Sequence, residues 1–120
     1  MRCKIITIPT DDITDWPSFH EVFQKVLGFP DFYGRNMDAS IDCMASIDTP
    51  EHGMSTVTVE IDELLVLNIE DAAGFQARCH ELYDALLECL AFVNCRRAAV
   101  GDRPVIALMP TGHFPREPLA

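Results

Sequence analysis

What this sequence lacks narrows its function. It carries nine Lys and Arg residues against nineteen Asp and Glu, a single Trp, and no CxxC pair among its five cysteines. No stretch is long and apolar enough to span a bilayer, and the opening MRCKIITI is too short an apolar run for a signal peptide. GxSxG, HExxH and a Gly-rich phosphate loop are all missing. The four histidines, His20, His52, His80 and His113, have no ligand spacing with the cysteines, so neither a metal nor a cofactor is expected. The shortage of positive charge has its own consequence. With a formal net charge of −10 and a pI near 4.6, the chain repels phosphate backbones and anionic membranes. Direct binding of nucleic acid or membrane is therefore not expected, and a basic partner is the natural complement. Cys3, Cys43, Cys79, Cys89 and Cys95 fall mostly within apolar patterns and read as buried thiols in a reducing cytoplasm.

What is present suits one globular domain over residues 1–120, with about 110–120 as a loose C-terminal tail. Hydrophobic residues make up 48% and charged residues 23%. CKIITI at 3–8 is a short β-branched strand, and LLVLNI at 64–69 reads as a fully buried one. PVIALM at 104–109 is the last strand, and TVTVEI at 56–61 alternates like a half-buried edge strand. Between them lie helical patterns. The first has a cap at Thr14 or Asp15, Pro17 in its first turn, and Trp16, Phe19, Phe23, Val26 and Leu27 at helical spacing before Gly28 and Pro30 close it. A long helix from 71 to about 93 aligns Phe75, Cys79, Leu82, Leu86, Cys89, Leu90 and Val93. Buried strands separated by helices imply an α/β fold with a small parallel sheet flanked by helices in three layers, plus the extra edge strand.

The segment FPDFYGRNMDASIDCM, residues 29–44, is the most distinctive. Asn36 is the expected N-cap of a helix running to about 47, with Met37, Ser40, Ile41, Met44 and Ile47 on its inward stripe. Asp38 and Asp42, four residues apart, then project about 40° from one another on the outward flank. Acidic pairs at this spacing usually mark nothing more than a solvated face. Asp38 also suits the first turn, where the helix dipole favours negative charge and Arg35 is within pairing distance.

The run Pro30-Asp31-Phe32-Tyr33-Gly34-Arg35-Asn36-Met37-Asp38-Ala39-Ser40-Ile41-Asp42-Cys43 resembles the hallmark segment of the barstar family, small intracellular inhibitors of secreted bacterial ribonucleases. ITDWPSFHEVFQKVLGFP resembles that family's first helix in cap, length and closing proline. The resemblance implies a barstar-like fold and no enzymatic activity. It also implies that Asp38, Asp42, Phe32, Gly34, Asn36 and Ile41 bind and block the active site of a basic ribonuclease toxin, the carboxylates standing in for substrate phosphates. Three positions depart from the pattern: Phe32 lacks a tyrosine hydroxyl, Ile41 stands where the best-known member has tryptophan, and Arg35 is positive. An insertion covers roughly 46–62. Glu81, Asp84 and Glu88 have no firm match to the acids of the family's last helix. The alternative is a protein-interaction module of the same fold with a non-nuclease cellular partner, and a third is a small enzyme built on Cys43, His80 and the aspartates.

Overall fold

The computed structural model describes residues 2–113. Strand β1 is Arg2–Ile8, β2 is Glu63–Ile69 and β3 is Ile106–Pro110, and they form one parallel sheet in the order β1-β2-β3. In register, Ile6 lies beside Leu67 and Leu67 beside Leu108; Ile8 lies beside Ile69. Period-two alternation therefore directs Ile6, Ile8, Leu65, Leu67, Ile69, Ile106 and Leu108 to one face. All seven belong to or pack against the core cluster. Each fully buried aliphatic chain there contributes about 1.5–3 kcal/mol relative to exposure.

Helix α1, Trp16–Leu27, begins with a reciprocal cap: Asp15 Oδ1 accepts from Ser18 N at 2.9 Å while Asp15 N donates to Ser18 Oγ at 3.0 Å. Asp15 is the cap of the two candidates, and those hydrogen bonds hold its carboxyl below the usual value. Gly28 ends the helix at φ 69°, a left-handed turn that glycine adopts without strain. It is needed there twice over, because a Cβ would fall 1.6 Å from Thr56 Oγ1. Phe19, Phe23 and Leu27 line the buried side. Helix α2 is Met37–Ala45, and its buried residues are Ser40, Cys43 and Met44, with Ile47 following just beyond its end.

The α/β class and the small parallel sheet flanked by helices are as expected, and differences appear in the edge strand and the long helix. Residues 56–61 are not an edge strand. Their backbone donors are engaged elsewhere: Thr56 N and Val57 N donate to Leu27 O at 3.1 Å, and Val59 N donates to Ile47 O at 3.2 Å. The segment thus satisfies carbonyls left over at the end of α1. Its alternation is real, since Val59 is buried and Val57 packs on the core, but an alternating segment can dock on helix ends as well as on a sheet edge.

The long helix is two: α3, Ala72–Arg78, and α4, His80–Ala99, separated at Cys79 by φ −137° and ψ 52°. Arg78 donates to Ile13 O and Thr10 O at 3.3 Å, tying the break to the loop after β1. The apolar stripe continues across the break, which is why periodicity does not reveal it. The two faces of the sheet are unequal, one of them supplying all of the sheet's contacts to the core cluster. The other face, with Cys3, Ile5, Leu64, Val66, Ala107 and Met109, contributes nothing to the core cluster, although Val66 is 9% exposed.

At the C-terminus, Pro110 belongs to β3, and Thr111 N donates to Ile69 O at 2.9 Å. The sheet's hydrogen bonding therefore extends past the start of the expected tail, of which residues 114–120 lie outside the described residues.

Candidate functional site

The loop before α2 is held from beneath by a buried polar chain. Tyr33 is 6% exposed, with its Oη 2.6 Å from His20 Nδ1 and 2.5 Å from Ser40 Oγ. Ser40 Oγ in turn donates to Asn36 O at 3.1 Å. A single direction satisfies every member: His20 Nδ1–H to Tyr33, Tyr33 O–H to Ser40, Ser40 O–H to the Asn36 carbonyl. Burial, followed by the charge of Arg35, holds His20 below its ordinary value, and the chain asks of the ring only a proton on Nδ1. Burial pushes the Tyr33 phenol up to about 12. Helix α1, the loop and α2 are locked together by these contacts.

Above this chain the loop turns outward. Tyr33 N donates to Pro30 O at 2.9 Å, which puts Phe32 at the tip, 74% exposed. Gly34 follows, exposed. Arg35 takes φ 52°, a left-handed conformation that costs a non-glycine residue roughly 1–2 kcal/mol. Its guanidinium donates to Gln24 Oε1 at 3.3 Å, not to Asp38. Asn36 is the N-cap as expected, accepting from Ala39 N at 2.8 Å and donating to Gly34 O at 3.4 Å. Its side chain is therefore occupied in starting the helix.

Asp38 and Asp42 are both exposed on the outer flank of α2, on a helix whose other side is in the core. Their circumstances are unequal. Asp38 has no ion pair among the described residues, whereas Asp42 Oδ1 accepts from Arg96 Nη1 at 2.7 Å. Ile41, half-buried, shares an open hollow between α2 and α4 with Asp38, Phe92, Cys95 and Arg96. Beyond the start of α2, a second hollow places Met37 with Trp16, Glu81, Asp84 and Glu88. Sequence reasoning missed Phe92 and Arg96. Phe92 is 61% exposed on α4, and its spacing of four from both Glu88 and Arg96 is the signal of an outward stripe.

The cysteines divide between core and surface. Cys43 and Cys89 are buried as expected, and burial raises their thiols to about 11 and about 12, with Asp42 adding to the effect at Cys43. A thiol so raised is packing material, not a nucleophile. Cys3 and Cys95 are exposed, contrary to the expectation of buried thiols, because they occupy the outer sides of β1 and α4. Among the described residues no three His, Cys, Asp or Glu side chains are grouped to hold a metal, and no helix is long and apolar enough to cross a membrane.

A parallel sheet backed by helices, one of which presents carboxylates outward beside an exposed aromatic loop, defines a small α/β protein with an acidic, solvent-facing helix flank. The chain belongs to the barstar family. It matches the family model described as Barstar (barnase inhibitor) over residues 3–107, which covers α1, α2, α3, α4 and β2, all of β1 but its first residue, and the first two residues of β3. That description is of an inhibitor rather than an enzyme. No curated protein matches the chain.

Proposed function

We propose that this protein inhibits a basic ribonuclease, acting as a cytoplasmic immunity protein that blocks the enzyme's active site through the outer face of α2 and the loop before it. The observation that carries this reading is the placement of Asp38 and Asp42. A barstar-family helix with its back in the core aims both carboxylates at solvent, one turn apart. A ribonuclease collects Arg, Lys and His side chains to hold a phosphodiester, and carboxylates can occupy those positions through charge-assisted hydrogen bonds. Phe32 and Gly34 extend the same surface through the loop, while Asn36 and Ile41 support it. The net charge of −10 favours encounter with a basic enzyme and slows it as salt screens the field beyond about 10 Å.

The test is inhibition of barnase, the enzyme named in the family description, by titration of this protein into the ribonuclease assay at low and at high salt. Stoichiometric inhibition with an association rate that falls steeply with salt is the expected outcome. A second reading has its own support: Arg96 partly neutralises Asp42, which suits a cellular partner that is not a simple basic cleft. Failure to inhibit, together with recovery of a non-nuclease protein by affinity capture that Asp38→Ala abolishes, would favour this interaction-module reading.

A further inference from the structure

The proposed face holds a positive charge where a mimic of phosphate has least use for one. Arg96 reaches Asp42 from α4, across 54 residues of sequence, and the two side chains are 52% and 56% exposed. The contact is not what joins the helices. That role falls to the adjacent Arg97, which is buried and donates to Ala45 O and to Asp48. Arg96 instead stands at the hollow lined by Asp38, Ile41, Phe92 and Cys95, with one oxygen of Asp42 already engaged. An exposed pair of this kind is weak enough to be exchanged for a better one. A target cation approaching Asp42 must displace a guanidinium, and the displaced charge then stays beside a basic surface, where like charges are costly once water is excluded.

From these contacts we infer that Arg96 is a specificity-determining residue of the α2 face, holding Asp42 in the free protein and discriminating against basic targets that lack space, or an acidic group, for the displaced guanidinium. The inference rests on reading the α2 face as a ribonuclease-binding surface. Its physical content, a carboxylate masked from cations, is nonetheless separable from the identity of the enzyme.

Two probes distinguish these levels, with a charge-matched control at the start of β1, where Arg2 makes a 2.7 Å exposed pair with Asp62. Arg96→Ala and Arg2→Ala add the same net charge, so only a local effect separates them. Against barnase, Arg96→Ala is expected to tighten binding at least tenfold more than Arg2→Ala does. Asp42→Ala should also cost more in the Arg96→Ala background than in the native chain. Against an octa-arginine peptide followed by amide shifts of α2, the midpoint should fall several-fold further for Arg96→Ala than for Arg2→Ala. Equal responses of the two variants in both assays, or weaker barnase binding by Arg96→Ala, would overturn the inference. If barnase binds none of the proteins while the peptide still separates the variants, the mask stands and the ribonuclease reading fails for that enzyme. Thermal melts of each variant, with Arg96→Gln as a second form, guard against a folding artefact.

Discussion

Arg96 and Arg97 are neighbours on α4, and each pairs with an aspartate at or beyond α2, yet they belong to different parts of the protein. Arg97 points inward. Its side chain is 7% exposed, it donates to Asp48 Oδ2 at 2.6 Å and Oδ1 at 3.0 Å, and its remaining donors reach Ala45 O and Arg103 O at 2.9 Å. Ala45 O is one of the carbonyls α2 leaves unsatisfied at its C-terminus, and a cation there also complements the helix dipole. Arg96 points outward and makes one exposed contact. Successive residues on a helix diverge by about 100°, which suffices to send one guanidinium to the fold and the other to the surface. A residue type alone therefore does not tell structure from function; the number of partners and the burial do.

Breaking the inner pair should have the largest effect. Arg97→Ala removes the side-chain donor to Ala45 O and Arg103 O and strips Asp48 of its cation, leaving it the Thr49 hydroxyl, and removal of one partner from a buried ion pair typically costs about 3–5 kcal/mol. A pronounced fall in melting temperature is expected. A loss under about 1 kcal/mol would mean that the inner contacts are dispensable. The inner pair also responds to acid. Burial raises the Asp48 carboxyl, but the hydrogen bond and charge of Arg97 outweigh it and the net shift is downward from 3.8. Its contribution is therefore present above that value and lost as pH falls through the lower folded-state value.

Asp42→Ala comes next, and its effect should appear in binding rather than folding. Exposed helical positions seldom alter stability by more than about 0.5 kcal/mol. Loss of at least roughly 2 kcal/mol in partner affinity is expected, the threshold general to interface hot spots, barstar's own among them. Calorimetry of binding and of unfolding on the same variant reads both, and comparable losses in the two would make Asp42 structural.

Between surface and core lies the chain under the loop, and Tyr33→Phe tests it. Deleting the hydroxyl removes the shared partner of His20 and Ser40 in a buried place, which should cost about 1–3 kcal/mol. His20 adds a smaller, pH-dependent component. Its folded-state value lies below 6.5, so the unfolded chain takes up a proton first as pH falls. Stability from this group is complete above 6.5 and declines as pH drops from there through the folded value. Denaturant melts from pH 7.5 to 5 should show that decline, and His20→Gln should flatten it; an unchanged slope in the variant would assign the decline to other groups.

Much of this was legible in the sequence because it is local. Asp15, Pro17 and Gly28 set the limits of α1, Asn36 starts α2, a β-branched run gives β1 and a continuous apolar run gives β2, each through signals within a few residues. The outward aim of Asp38 and Asp42 follows from spacing alone. What was not legible depends on contacts far apart in the chain. The 56–61 segment has strand-like alternation, but whether its amides meet a sheet or the end of α1 is decided by where Gly28 leaves room. The break at Cys79 has no glycine or proline to mark it. Arg96 reaches across 54 residues to Asp42, and Arg97 across 49 to Asp48, so neither pairing has a local signature.

The smallest expected effect is the sharpest test of the opening contrast. Arg96→Ala removes a guanidinium at the same chemical distance from an aspartate as its neighbour does, 2.7 Å against 2.6 Å, so a view based on geometry alone predicts similar costs. Burial predicts otherwise. About half of each side chain in the outer pair remains in water, which rehydrates Asp42 when the arginine is removed, and exposed pairs contribute about 0–1 kcal/mol before salt screens them. The stability change should therefore be about 0.5 kcal/mol or less and should vanish in high salt, whereas the Arg97→Ala loss should persist there because its partners are shielded from mobile ions. Denaturant titration of both variants at low and high salt measures this. If Arg96→Ala proved as costly as Arg97→Ala, the outer pair would be a structural tie between α4 and α2, and Asp42 would have to be reassigned from the partner-facing surface to the fold.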